Sequence, residues 1–438
     1  MRDEGLKEGA CRFGMHVGEV AAYALAGTAA GLFIGAAVGI FGLGVEYFSG
    51  LGASHFSLYV WFLPLAGLFS VFMLHRWGGK GGIGMGAAFR ASRGEEKGFP
   101  LRNALFQYAG TWSAHLFCAS VGREGAAIQI GAAIGGELGR TLRLRGADKI
   151  LIVAGMAAGF SALFGTPVCA LFFALEVTVV GGVRMRALTA SAFASFSAYF
   201  LSRLCGGEES LSLAVEVPAF TVASLPALVA VGAACGIAGL LFCVLRKAAS
   251  RFFRFSVKNA YLRVAAAGVL LSCLLFLTRG RYAGLGTNLV GIALSGGNVY
   301  AFDWIVKILF TAVTLSVGFL GGEVTTFFAA GACLGAALGA PLGMDPAFAA
   351  CLGYAAVFGA ATNTLLAPIL LCAEVFGVSL LPQAAVVCVM AYLFNFGHSV
   401  YNQRIREDIV LHFVRSIGMR REELPLQGKL YGRNPLLP

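Results

Sequence analysis

From residue 19 onward the chain is a near-continuous succession of apolar stretches, each about as long as a bilayer is thick. They lie at 19–49, 58–74, 103–118, 148–180, 187–202, 219–245, 262–278, 303–320, 324–342, 346–378 and 383–397. A helix crosses the hydrocarbon core with about 20 mostly apolar residues. Several stretches, 148–180 and 346–378 among them, are too long for one crossing and too short for two, which predicts tilted, broken or re-entrant helices. Of the 438 residues only 13% are charged, against about 25% in a soluble domain. The mean hydropathy is +0.79, so lipid is the natural solvent. The expectation is one all-α bundle that spans the bilayer many times. The polar start, residues 1–18, leads directly into a full-length apolar stretch, so no cleavable signal peptide is expected.

The net charge of +11 does not point to nucleic acid. Its basic residues sit in short loops between apolar stretches, as from Arg140 to Lys149 and from Arg246 to Arg263. That is the positive-inside pattern, and it also supplies a field that attracts anions. Both termini are expected in the cytoplasm. The reading divides the chain into a tail (1–18), a first transmembrane repeat (19–206), a linker (207–218), a second repeat (219–415) and a second tail (416–438). Most of the eleven cysteines lie inside apolar stretches without a CxxC pair, and read as small packing residues. The six histidines are scattered without metal-ligand spacing. Ser120 has no recognisable His/Asp partners. Neither a metal, a cofactor nor an enzymatic activity is expected.

The two apolar halves echo each other. Residues 155–177 and 353–375, compared without gaps, share eight of 23 positions, and both end in Glu-Val. Upstream, Gly131, Gly135 and Gly139 correspond to Gly331, Gly335 and Gly339, and Glu124 and Glu323 are read as occupying matching places. Internal repeats of this kind are typical of secondary transporters, whose sites lie near the midplane where interrupted helices present their ends.

Three glycine-rich breaks are read as each preceding an apolar helix: 81–86, 122–125 and 321–326. Glycine lets backbone N–H groups approach a ligand closely, and a helix N-terminus offers unpaired N–H donors and partial positive charge. Several such ends converging would hold an anion without a full protein charge. Close helix packing explains any one of these breaks equally well; three together, two in a repeat, favour the anion site. Glu124 and Glu323 stand at the starts of apolar helices, where a carboxylate is costly and therefore a functional candidate. Ionised, such a group occupies an anion's place; protonated, it yields that place. Glu176 and Glu374 end paired helices and read as structural anchors.

These residues resemble the CLC family of chloride channels and proton-coupled anion transporters, over about residues 20–415. Gly122-Arg123-Glu124-Gly125 resembles the family's GREGP signature, which implies a gating role for Glu124. The family's GSGIP segment falls at Gly82 to Gly86, its GxFxP segment at Gly321 to Phe327, and its anion-site tyrosine at Tyr401. The resemblance implies two inverted repeats and a homodimer with one pathway per subunit. Three departures narrow it: Met85 replaces the family's serine, Glu323 stands where no acid is usual, and Val177 replaces an internal proton glutamate. Together they resemble the bacterial branch that exchanges fluoride for protons. That branch implies supporting roles for Glu323 and Thr325, though its proline is Thr326 here, and Ala126 follows Gly125 in place of the wider family's proline. The implied anion site comprises Gly84, Met85, Gly86, Gly122, Arg123, Gly125, Gly322, Val324, Thr325 and Tyr401, with Glu124 and Glu323 exchanging protons. The implied setting is the bacterial inner membrane. A chloride/proton exchanger and a passive anion channel of the same fold remain open on the residues alone.

Overall fold

The computed structural model describes residues 2–78, 84–96, 98–142, 146–180, 183–206, 217–401 and 403–405, with side chains from Val17 onward. The first half holds α1 (Arg2–Ser54), α2 (Phe56–Tyr59), α3 (Leu63–Trp77), α4 (Met85–Arg93), α5 (Arg102–Leu116), α6 (Glu124–Thr141), α7 (Ala147–Phe164), α8 (Pro167–Glu176) and α9 (Leu188–Leu204). The second holds α10 (Leu225–Ser256), α11 (Ala260–Leu277), α12 (Thr287–Leu294), α13 (Asp303–Val317), α14 (Val324–Gly339), α15 (Pro346–Thr362), α16 (Leu366–Phe376) and α17 (Leu381–Phe394). Most of the 207–218 linker, Gly81 to Ile83 of the first glycine break and the 416–438 tail lie outside the described residues.

The awkward lengths have a simple resolution. Within 148–180 the chain breaks at Gly165, which has φ +75°, and restarts with Pro167 in the first turn of α8. Within 346–378 it breaks at Asn363, in the left-handed region at φ +54°. The products α8 and α16 have 10 and 11 residues, about 15 Å each at 1.5 Å per residue, half of a bilayer core. At the other extreme, the 38-residue apolar part of α1, Val17–Ser54, is about 57 Å long and spans only if steeply tilted.

The same packing pattern appears in both halves. Helix α6 lies along α7 as α14 lies along α15, α7 against α9 as α15 against α17, and α1 against α9 as α10 against α17. Glycine sets the closeness. A methyl on Gly131 would sit 2.0 Å from the carbonyl oxygen of Gly155, and one on Gly331 would sit 2.1 Å from that of Gly353. Helical glycines 131, 135, 331 and 335 therefore serve backbone-to-backbone packing.

Two reciprocal links relate the halves as an inverted pair. Gly122 N donates to Gly322 O at 2.6 Å and Gly322 N to Gly122 O at 2.7 Å, an antiparallel bridge. The half-length helices α8 and α16 each close the other's start. Glu374 accepts from Val168 N and Cys169 N at 2.8 and 2.7 Å, and Glu176 accepts from Leu365 N at 2.6 Å and from Leu366 N and Ala367 N. Each carboxylate lies in the last turn of one helix, Glu176 at its end and Glu374 two residues before it, and caps the first turn of its neighbour, which requires the two to run in opposite senses. Negative charge at an N-terminus satisfies both the orphan donors and the dipole, and the anchor reading of these two glutamates fits this geometry.

Two expectations need correction. The bridge pairs Gly122 with Gly322, so the registers differ by 200, and Glu124 matches Val324 while Glu323 matches Arg123. Glu124 is the first residue of α6 and Glu323 the residue before α14; the glutamates are one step out of register. The helix after the first glycine break is also not apolar: α4 carries Arg90 and Arg93 on the one strip, with Gly86, that its neighbours leave partly uncovered. A two-residue parallel ladder, β1 (Val179–Val180) with β2 (Arg404–Ile405), ties the chain after Tyr401 to the chain after α8.

Candidate functional site

The reciprocal glycine bridge brings the starts of α6 and α14 to one point deep in the bundle. It needs small residues: a methyl on Gly122 would come within 2.6 Å of Thr325 Oγ1, and one on Gly322 within 2.7 Å of Gly125 N. At Gly321 the backbone itself demands glycine, with φ +150°.

Across this point the Glu124 side chain, 1% exposed, reaches the opposite half. Its Oε2 accepts from Thr325 N at 3.1 Å and from the Thr325 hydroxyl. Arg123 N, at 3.3 Å, donates to the same oxygen. A carboxylate oxygen thus rests on the donors at the beginning of α14, where helix geometry leaves N–H groups without internal acceptors. The Arg123 guanidinium stands 3.9 Å from Oε1 and is held on its other side by Glu46 at 3.2 Å. It is thereby shared between two carboxylates.

Glu323 makes no reciprocal reach. It is buried and faces the Tyr401 hydroxyl, with Arg246 of α10 in charge range of both. The Tyr401 hydroxyl is buried and, among the described residues, forms no well-shaped hydrogen bond. Its backbone is fixed through Tyr401 N to Ser399 Oγ at 3.1 Å and Ser399 Oγ to Thr362 O at 3.2 Å. The Tyr401 ring packs edge-on against Phe89 of α4, centroids 5.5 Å apart.

The structure therefore gathers Gly122, Arg123, Glu124, Gly125, Gly322, Val324 and Thr325 into one cluster, with Glu323 and Tyr401 beside it. Helix α4 joins through Phe89. Gly84, at φ +105°, opens that helix, Met85 is buried in its first position, and Gly86 faces Arg90. Two neighbours escaped the sequence reading. Glu46 is an acid within the apolar stretch 19–49, a signal that was legible. Arg246 was counted with the loop charges, and only the fold turns it toward Glu323.

The Glu124 carboxylate thus sits on the donors of a second helix start, where a small anion would be held in the same way. Residues 66–395 match the voltage-gated chloride channel family. This chain belongs to the CLC family. A chloride/fluoride channel protein of Pseudomonas syringae pv. tomato is 33% identical over 91% of this chain and 90% of its own length. The H(+)/Cl(−) exchange transporter ClcA of Vibrio cholerae is 26% identical over 58% of each. The crystal structure of a CLC-type fluoride/proton antiporter superposes with a TM-score of 0.86 at 38% identity, covering 88% of this chain and 98% of that one. A slow cyanobacterial Cl⁻/H⁺ antiporter, at 17% identity and TM-score 0.75, shares the fold. As a CLC protein the chain is a polytopic membrane transport protein and not an enzyme.

Proposed function

We propose that this CLC protein exchanges fluoride for protons and exports fluoride. The observation that carries the reading is the Glu124 carboxylate lying on the N–H and O–H of Thr325. Donors that accept a carboxylate oxygen accept a small anion in the same place. When Glu124 is ionised it holds the place; when it takes a proton its attraction to the helix start falls, and a mobile anion displaces it. Anion and proton then compete for one position, which is the physical basis of exchange. Glu323 and Thr325 support the proton and fluoride route, and Tyr401 and Met85 line the anion's way. Gly84 and Gly86 place the start of α4 on that route. Methionine at position 85 offers no hydroxyl donor where a serine would, which changes how the site balances fluoride against chloride. The two named fluoride-handling relatives support the choice of anion. The setting is the bacterial inner membrane, with both termini cytoplasmic and two subunits that each carry a pathway.

The test uses purified protein in liposomes with fluoride and pH electrodes recording together. A fluoride gradient is expected to drive protons uphill while chloride does little. Equal work from chloride makes the protein a chloride/proton exchanger, and fluoride flux without proton movement makes it a channel.

A further inference from the structure

Lys307, in the second turn of α13, is fully buried. Among the described residues no carboxylate pairs with it. Its ammonium donates to Gly284 O at 2.7 Å, Tyr282 O at 3.2 Å and Ser120 Oγ at 3.0 Å. Three acceptors match the three hydrogens of an ammonium. The two carbonyls end the chain of bonds on their side, but Ser120 passes it on. Ser120 Oγ lies 3.0 Å from Thr311 Oγ1, which lies 2.9 Å from Thr326 Oγ1. All three hydroxyls are buried.

An ammonium only donates, and the two hydroxyl contacts admit either atom as donor, so a charged Lys307 favours one order for the row. In that order Ser120 receives from Lys307 and gives its own hydrogen to Thr311, and Thr311 gives to Thr326. Every dipole points its positive end toward the first turn of α14. Thr326 follows Thr325, whose donors hold Glu124. In a low-dielectric interior such a row is mutually reinforcing. The first half lacks the charge: Gln107 stands in the register of Lys307 and donates to Gln129, which donates to Gly125 O. Proline, which the resembling branch has in place of Thr326, has no hydroxyl, so the last link depends on the threonine found here.

We propose that Lys307 is a positioning residue for the anion, holding the hydroxyls of Ser120, Thr311 and Thr326 in one direction and so strengthening the start of α14 as an anion site. This rests on the reading that the start of α14 binds the transported anion.

The test compares the full chain with Lys307→Met, Thr326→Val and the double variant, by calorimetric fluoride titration and by liposome flux. Each single change is expected to weaken fluoride binding and raise KM about tenfold, the size of one charge-assisted hydrogen bond, with the maximal rate within about twofold. The double variant should be no weaker than the worse single one, because both cut the same row. A purely structural lysine would lower the melting temperature and leave KM alone. Should Lys307→Met fail to fold, Thr326→Val, which removes one hydroxyl at nearly constant shape, carries the test. Wild-type affinity in Thr326→Val, or effects that multiply in the double variant, overturns the inference. A wild-type protein that neither binds nor carries fluoride overturns the functional reading beneath it, which is a separate result.

Discussion

On the proposed reading Glu124 does two things at once: it covers the donors at the start of α14, and it is the group whose uptake of a proton frees them. Glutamine keeps the shape and loses the charge. Glu124→Gln is therefore expected to abolish fluoride-driven proton movement, with anion flux persisting; a pH electrode on liposomes reads it, and intact coupling would remove the residue from the mechanism. Gly122 has no such freedom. A methyl there meets Thr325 Oγ1 at 2.6 Å and Gly322 O at 3.1 Å, and backbone cannot give way as a flexible side chain does. Overpacking of this kind costs about 1–3 kcal/mol. Gly122→Ala is expected to slow fluoride flux at least about tenfold by forcing the two helix starts apart.

At the scale of elements, the half-length helices α8 and α16 depend on each other. Neither is long enough to satisfy its ends at the membrane surface, so each start is met by a glutamate in the other's last turn. Removing such an acceptor leaves buried N–H groups unpaired, at about 1–3 kcal/mol. Glu374→Ala is expected to lower the melting temperature of the detergent-solubilised protein while the surviving folded fraction keeps its proton coupling. Glu124→Gln should do the reverse, sparing the melting temperature and losing coupling. This pair of measurements separates anchor glutamates from the exchanging one. Which was which was half legible in the sequence: all four glutamates sit beside apolar helices, but a glutamate in a helix's last turn caps a partner only when that partner runs the opposite way.

For the molecule as a whole, the inverted relation places two helix starts from opposite directions at one interior point. Two copies of the chain with separate pathways would act independently. A tandem-linked pair with Glu124→Gln in one copy should retain about half of the coupled proton flux; complete loss would mean the subunits work as a unit. The one-sided lysine, opposed by a neutral glutamine in the other half, shows that the halves share a backbone plan and differ in charge.

The number of apolar stretches, their impossible lengths, the repeat and the glycine breaks were all readable along the chain, because lipid admits only helices or closed barrels as spanning elements and glycine, joined by Asn363 at one break, takes up the turns that interrupt them. The family resemblance rested on the same short segments. The register between the halves was only half readable: the glycine triplets imply an offset of 200 and the match of 155–177 with 353–375 one of 198. Alanine and glycine are so common here that a shift of one residue changes the apparent matches little, and only the Gly122–Gly322 hydrogen bonds decide it. The partners of Glu124, the shared Arg123, the approach of Arg246 to Glu323 and the row from Lys307 to Thr326 join residues up to 201 positions apart. Hydrogen bonds of that kind depend on distance in space, which local pattern along the chain does not encode.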